Sequence, residues 1–128
     1  MVEKNNPLSP HLQIYKWQIS SLLSITHRIV GVINTLAITI ICFWSISLLL
    51  GAESYLIINS FFQSFLGNFV AIGLCWTFSF HILNELRHLF WDLGYGFDLK
   101  TSKVTGVMAL VGSFLLTILF YLIGKNIL

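Results

Sequence analysis

Charged side chains are scarce in this chain of 128 residues: Lys and Arg number 7, Asp and Glu number 5, and together they make up 9% of the sequence. An ordinary soluble domain carries about 25% charged residues. This scarcity therefore excludes a typical water-soluble domain and favours a membrane protein. The net charge of +2 is also too small, and its bases too scattered, for a nucleic-acid-binding surface.

Proline and cysteine are almost as rare. The only prolines, Pro7 and Pro10, precede the first long apolar run, so no proline interrupts a later helix. The two cysteines, Cys42 and Cys75, lie inside separate apolar runs. Two isolated cysteines match no cysteine metal motif, and we expect thiols buried in helix packing rather than a disulfide.

Hydrophobic residues, in contrast, make up 56% of the chain and are gathered into three long runs. Each run is long enough for a membrane-spanning helix, which needs about 20 apolar residues. The pattern predicts an all-α membrane protein with a single domain, residues 1–128. Its expected parts are an N-terminal segment at 1–19 and transmembrane helices at about 20–51, 65–92 and 104–124.

The segments between these runs are polar or aromatic. Residues 1–19 have the features of neither a signal peptide nor a transit peptide. Ala52–Ser64 is rich in aromatic and aliphatic residues, which predicts a short helix lying in the membrane interface. Gly94–Lys103 is predicted to be a turn and a short loop.

Small and polar residues recur every three or four positions in two of the predicted helices. Such residues let membrane helices approach closely, so we expect these faces to turn toward other helices. The face on the first helix comprises Ser24, Arg28, Gly31, Thr35, Thr39 and Cys42, and that on the third comprises Gly106, Ala109, Ser113 and Thr117.

The basic residues predict the orientation. Six of them (Lys4, Lys16, Arg28, Arg87, Lys100 and Lys103) flank one end of the predicted helices, whereas only Lys125 flanks the other. Because basic residues are retained on the inner side of a membrane, we expect the N-terminus and the second loop in the cytoplasm or mitochondrial matrix.

A polar stripe closes the second apolar run. His81, Glu85, His88 and Asp92 are spaced by four, three and four residues, so an α-helix places them on one face. Ionisable groups at membrane depth are costly unless they face protein, water or a cofactor, which makes the stripe a candidate functional site. Ser24, His27 and Arg28 start the first helix at the same membrane face.

Several kinds of chemistry fit these residues. His81 is suited to bind a haem iron or another metal through a ring nitrogen, although a histidine in a membrane helix can also hydrogen-bond across helices. His27 and Arg28 could meet haem propionates, and Ser24 could donate to a quinone carbonyl. Glu85 and His88 form only one E-x-x-H motif, and the other glutamates that a di-iron site needs are missing. Asp92 could instead form an interfacial ion-pair cluster with Arg87 or His88.

Three segments carry a family resemblance. NPLSPHLQIY at 6–15 resembles R-P-L-S-P-H-x-x-I-Y, SITHRIVG at 24–31 is similar to S-x-x-H-R-x-[ST]-G, and HILNELRHLFWD at 81–92 is similar to H-x(3)-G-x-R-H-x-x-x-D. These are motifs of the cytochrome b556 subunits of succinate dehydrogenase, the larger of the two membrane anchors of complex II. Three positions depart from these motifs. Asn6 stands where the family has Arg, Val30 where it has Ser or Thr, and Glu85 where it has a small residue.

The resemblance implies roles for individual residues. His81 would be one axial ligand of haem b, and the second would come from the smaller anchor subunit. Ser24 and Arg28 match ubiquinone-site residues, and His27, Arg28 and His88 match residues around the haem propionates. Asp92 matches a signature residue with a structural role, and Glu85 could alter the electrostatics of the haem.

The implied function is that of a subunit rather than of an enzyme on its own. The chain would anchor the flavoprotein and iron–sulfur subunits to the membrane, together with the second small anchor, and help to form the ubiquinone-reduction site of the respiratory chain and tricarboxylic acid cycle. It would be a multi-pass protein of the bacterial or mitochondrial inner membrane. Two alternatives remain: a small subunit that moves protons or ions along the stripe, and a structural adaptor without a cofactor.

Overall fold

The computed structural model describes residues 16–127, with side chains as far as Gly124, and this part of the chain is helical throughout apart from short turns. Its elements are α1 (Ile19–Leu50), α2 (Ala52–Gln63), α3 (Phe65–Asp92) and α4 (Leu99–Ile127). Three of the helices are long and apolar enough to cross a membrane: α1, α3 and the Leu99–Gly124 part of α4. The predicted all-α membrane fold is confirmed, whereas the motif at 6–15 lies outside the described residues.

Single residues separate the first three helices. Gly51, with φ +111°, ends α1 in a conformation that side chains rarely adopt, and α2 begins directly after it. Ser64 is extended, and its hydroxyl accepts a hydrogen bond from the Gly67 N–H over 3.1 Å, so that it caps the N-terminus of α3. The predicted short helix after the first span is therefore present as α2.

The loop predicted at Gly94–Lys103 is wrong in its second half, because α4 begins at Leu99. Gly94 and Gly96 turn the chain with φ values of +86° and +81°. The first helical turn is already closed by the Ser102 N–H, which donates to the Asp98 carbonyl over 2.8 Å. The polar residues after Leu99 predict a loop by hydropathy, yet none of them breaks a helix, so α4 continues past its apolar part.

Helix α3 is the centre of the bundle and packs against α1, α2 and α4. The buried apolar core is small: Leu23, Val30 and Phe80, with Trp76 and Leu110 packed against it. On α4 the predicted packing face is confirmed, since Gly106, Ala109, Ser113 and Thr117 are all buried. Small residues there allow α3 and α4 to approach closely.

The packing face predicted on α1 is wrong for contacts within this chain. Ser24, Arg28, Thr35, Thr39 and Cys42 are exposed, and only Gly31 is partly buried. The line of α1 that turns inward is shifted by one position and comprises Leu23, Val30, Asn34 and Ala37. The threonine hydroxyls need no partner on a second helix, because they donate to backbone carbonyls one turn earlier in α1. Thr35 donates to Gly31 and Thr39 to Thr35, each over 3.0 Å. Both cysteines are free thiols, as expected, although Cys42 is exposed.

Candidate functional site

Three imidazoles and a carboxylate meet where the first half of α1 faces the second half of α3. The His27 and His81 rings are stacked with centroids 4.4 Å apart, and the His88 ring lies 5.4 Å from that of His27. Glu85 Oε1 is 3.1 Å from His27 Nε2, close but without hydrogen-bond alignment, and 3.7 Å from His81 Nε2. We refer to His27, His81, Glu85 and His88 as the histidine cluster.

Gly31 explains how the two helices come close enough for this cluster. It lies one turn after His27 on α1, and a Cβ atom at this position would be 3.4 Å from His81 Cε1. That distance is at the short limit of ordinary van der Waals contact. A larger side chain at position 31 would therefore push the His81 ring away from α1.

The His81 ring has free coordination capacity. Its Nδ1 is buried without a hydrogen-bond partner, and its Nε2 lies beyond hydrogen-bond distance of Glu85. A neutral imidazole in this state can bind iron through a ring nitrogen. Donor atoms of His27, His81 and Glu85 also lie within 4.8 Å of one another, a spacing that could hold a metal ion. These residues therefore fit a metal or a haem iron.

A cavity of about 310 Å³ adjoins the cluster between the start of α1 and the end of α3. We call it the α1–α3 cavity. Its wall includes three serines of α1, Ser20, Ser21 and Ser24, and four residues of α3: Asn84, Arg87, His88 and Trp91. His88 thus belongs to both the cavity and the histidine cluster. The volume is at the lower end of the range for small-molecule sites, about 300–1,000 Å³.

Arg87 faces α4 rather than the histidine cluster. Its Nε donates to Thr105 Oγ1 over 3.1 Å, and its Nη2 donates to the carbonyl and the hydroxyl of Ser102, both over 2.8 Å. The guanidinium also lies 4.1 Å from the ring centroid of Trp91, an attractive cation–π arrangement. Arg87 is 8% exposed, so these contacts hold a buried charge between two helices.

The predicted site residues are only partly brought together. His27, His81, Glu85 and His88 form the cluster, and Ser24 lines the adjoining cavity. Arg28 is exposed and lies outside both. Asp92 is also exposed and forms no ion pair within residues 16–124, so the alternative pairing with Arg87 or His88 is wrong for the described part of the chain.

Sequence reasoning missed the buried polar line of α3. Asn84, Arg87 and Trp91 follow one another at intervals of three and four, the spacing of one helix face. This spacing was available in the sequence, and it predicts a second polar stripe beside the one that starts at His81. The hydrogen-bond partners of Arg87, Ser102 and Thr105, could not be predicted in this way, because they lie 15 and 18 residues away on another helix, α4.

Comparison with known proteins decides the family. The family model described as "Succinate dehydrogenase/Fumarate reductase transmembrane subunit" matches residues 2–120. A Rickettsia felis protein named succinate dehydrogenase cytochrome b556 subunit is 39% identical over 127 residues, covering 94% of both chains. This chain belongs to the succinate dehydrogenase/fumarate reductase transmembrane subunit family.

Relatives come from bacteria and from mitochondria. A Paracoccus denitrificans cytochrome b556 subunit is 32% identical over 115 residues, covering 90% of this chain and 88% of the relative. A Reclinomonas americana cytochrome b560 subunit is 36% identical over 126 residues, covering 93% of this chain and 86% of the relative. With three apolar helices, the chain is a multi-pass inner-membrane protein. It is a non-catalytic membrane subunit of a succinate dehydrogenase complex, as expected.

Proposed function

We propose that this chain is the haem b-binding membrane anchor of a succinate:ubiquinone oxidoreductase, with His81 as an axial ligand of the haem iron. The observation that carries the proposal is the His81 imidazole, which makes no hydrogen bond to the described residues through either ring nitrogen although its Nδ1 is buried. Leaving a buried polar atom unpaired costs about 1–3 kcal/mol. A neutral imidazole without a hydrogen-bond partner is available to ligate iron, and the relatives are named cytochromes.

The neighbours of His81 have roles that do not involve iron ligation. Gly31 leaves room for the ring against α1. His27 and His88, whose ring centroids are 5.4 Å apart, offer hydrogen-bond donors to the propionate groups of a haem. A bound haem would supply a one-electron redox centre, and these residues would fix its position and keep water away from it.

Quinone reduction is the second part of the proposal. The Ser24 hydroxyl in the α1–α3 cavity would donate a hydrogen bond to a ubiquinone carbonyl. Arg28 follows one turn later on the exposed face of α1, where its positive charge would stabilise the negative charge that develops on the quinone oxygens. Electrons from succinate would arrive through the iron–sulfur subunit, and the flavoprotein, iron–sulfur and second anchor subunits would be the partners.

The test of the haem ligand is the optical spectrum of the purified complex. We expect His81→Ala to remove the reduced-minus-oxidised haem bands. Asn34→Ala is the control, because it removes a buried polar side chain outside the histidine cluster, and it should retain the bands. An unchanged spectrum in His81→Ala complex would show that the ligand assignment is wrong.

The test of the quinone site compares two electron acceptors. Arg28→Ala should lower ubiquinone reduction about tenfold or more, whereas succinate-dependent reduction of a soluble dye, which bypasses the membrane subunits, should remain. A tenfold loss corresponds to about 1.4 kcal/mol. Equal loss with both acceptors would indicate failed assembly, and no loss with either would contradict the role of Arg28.

Two alternatives predict different outcomes. A proton or ion path would need charged residues or histidines beyond the cluster, yet no Asp, Glu, His, Lys or Arg occurs between Phe65 and Phe80 on the same helix. A structural adaptor would give a purified complex without a haem spectrum. Neither alternative accounts for an unpaired imidazole beside two further histidines.

A further inference from the structure

Asn84 is a buried amide beside the α1–α3 cavity whose hydrogen bonds are incomplete. The residue is 1% exposed, and its Nδ2 has no hydrogen-bond partner. Native proteins satisfy almost all buried polar groups, and each exception requires an explanation. Asn84 lines the cavity together with Ser24, the residue proposed to contact the quinone.

Asn84 lines this cavity beside two other polar residues of α3, Arg87 and Trp91. Arg87 lies three residues later, and its Nε and Nη2 are bonded to α4, so they do not compete for the same space. Trp91 lies one further turn on, and its Nε1 donates to the Gly96 carbonyl over 3.2 Å. The Trp91 indole and two of the three Arg87 nitrogens thus donate to protein partners, whereas the Asn84 Nδ2 has none among the described residues.

The chemistry of the wall defines the ligand. Serine hydroxyls on α1 and a primary amide on α3 lie on opposite helices, and an indole ring and a leucine side chain, Leu23, supply apolar surface. This combination suits a flat, uncharged molecule with carbonyl oxygens at two edges.

We propose that the Asn84 side-chain amide donates a hydrogen bond to a quinone carbonyl in the α1–α3 cavity and so contributes to quinone affinity. The inference rests on the proposed quinone-reducing function and extends it to a residue of α3. Ser24 and Asn84 would hold the quinone from two helices. Asn84 is a binding residue in this proposal, since no proton or electron passes through it.

The experiment uses the complete complex with Asn84→Leu, a change that keeps the approximate size of the side chain and removes the donor. We expect the KM for a short-chain ubiquinone to rise about tenfold, while kcat, dye reduction and the haem spectrum change little. If Asn84→Leu does not assemble, Asn84→Ala provides the same measurement with a side chain that cannot clash.

Asn34 provides a matched control. It is also a buried asparagine, 5% exposed and with an unpartnered Oδ1, but its Nδ2 bonds the Thr77 carbonyl over 3.4 Å and it does not line the cavity. Asn34→Leu should leave the KM for ubiquinone unchanged. An equal increase in both variants would overturn the inference, because it would reflect a general loss of packing.

A spectroscopic measurement tests the contact without turnover. A hydrogen bond lowers the stretching frequency of a quinone carbonyl, so infrared spectra of carbonyl-labelled ubiquinone bound to the complex should show a higher frequency in the Asn84 variant. An unchanged frequency together with an unchanged KM would overturn the role of Asn84.

Ser24→Ala separates this inference from the proposed function. If Ser24→Ala raises the KM and Asn84→Leu does not, only the assignment of Asn84 fails. If neither Ser24→Ala nor Arg28→Ala affects quinone reduction, the quinone site itself is misplaced and the inference fails with it.

Discussion

A guanidinium between two membrane helices has to find its hydrogen-bond acceptors within the protein. Arg87 does so with Ser102 and Thr105, which lie within the first two turns of α4, and with the face of Trp91. The planar, forked donor geometry of arginine matches three acceptor atoms at once, which an ammonium group on a flexible chain cannot reproduce. Arg87 therefore fixes the register of α4 against α3.

Replacement of Arg87 by lysine tests this interpretation. Hydrogen bonds from a charged donor contribute about 1.5–3 kcal/mol each, and we expect Arg87→Lys to lose at least one of them. The result should be a lower unfolding temperature of the purified complex. Lys103→Ala, at an exposed position of the same part of α4, serves as the control and should have little effect. Equal unfolding temperatures for wild type and Arg87→Lys would show that the charge is held for another reason.

Glu85 is a second residue whose charge affects its neighbours, in this case the histidines of the cluster. Its carboxylate lies within 3.7 Å of both His27 and His81, although its side chain is 57% exposed. A negative charge beside the proposed haem ligand favours the oxidised iron, and solvent weakens this effect without abolishing it. Glu85 would accordingly lower the haem potential.

A redox titration of the haem measures this contribution. Glu85→Gln keeps the shape of the side chain and removes its charge, so the midpoint potential should rise by an amount on the order of tens of millivolts. Glu53→Gln, which removes an exposed carboxylate from α2, should leave the potential unchanged. A fall in potential in the Glu85 variant, or none at all, would contradict the electrostatic role.

At the scale of helices, the turn between α2 and α3 depends on the absence of a side chain at position 67. A Cβ atom on Gly67 would overlap the Phe61 carbonyl oxygen and lie 2.7 Å from the Phe62 Cα. Both contacts involve backbone, which cannot move aside as the end of a side chain can. The N–H of Gly67 also donates the hydrogen bond to the Ser64 hydroxyl that caps α3.

Alanine at two glycines of α3 therefore has opposite expected effects. Gly67→Ala should destabilise the protein by about 1–3 kcal/mol or more, as overpacking does. Gly73→Ala meets nothing within 4 Å and should be neutral or stabilising by about 0.5–1 kcal/mol, because alanine favours the helix. Thermal unfolding of the two variant complexes compares them directly. If the two variants have the same stability, the turn does not require glycine.

Helices and their contacts differ in how far the sequence predicts them. The spans follow from run length and apolar content, which need no knowledge of neighbours, and the stripe that includes His81 and Glu85 follows from helical periodicity. The inward face of α1 was mispredicted by one position, about 100° of rotation. That rotation is determined by contacts such as that of Asn34 with the Thr77 carbonyl, and these depend on two helices rather than on one.

For the molecule as a whole, most of the apolar surface of the bundle is uncovered. Between 17% and 22% of the most apolar window of each candidate span is buried within the chain. A membrane bundle contacts lipid over such apolar surfaces. The outer surface of α1 also carries exposed polar residues, among them Arg28 and Thr39. In the proposed function the second anchor subunit covers part of it.

The orientation of the bundle decides whether the proposed sites can receive electrons from soluble subunits. The α1–α3 cavity lies at the ends of the helices that are flanked by Lys16, Lys100 and Lys103. Basic residues favour the cytoplasmic or matrix side. If that orientation is correct, the cavity opens toward the compartment in which the succinate-oxidising subunits would be bound.

Reporter fusions in a bacterial host test the orientation. Alkaline phosphatase, which is active only outside the cytoplasm, should be active when fused after Leu128 and inactive when fused after Asp98, in the turn between α3 and α4. A reporter that requires the cytoplasm should give the reverse pattern at both points. The opposite result would place Ser24, His88 and Asn84 on the outer side, where electrons from succinate could not reach a quinone at the α1–α3 cavity without crossing the bundle. The proposed quinone site would then be untenable even if His81 bound a haem.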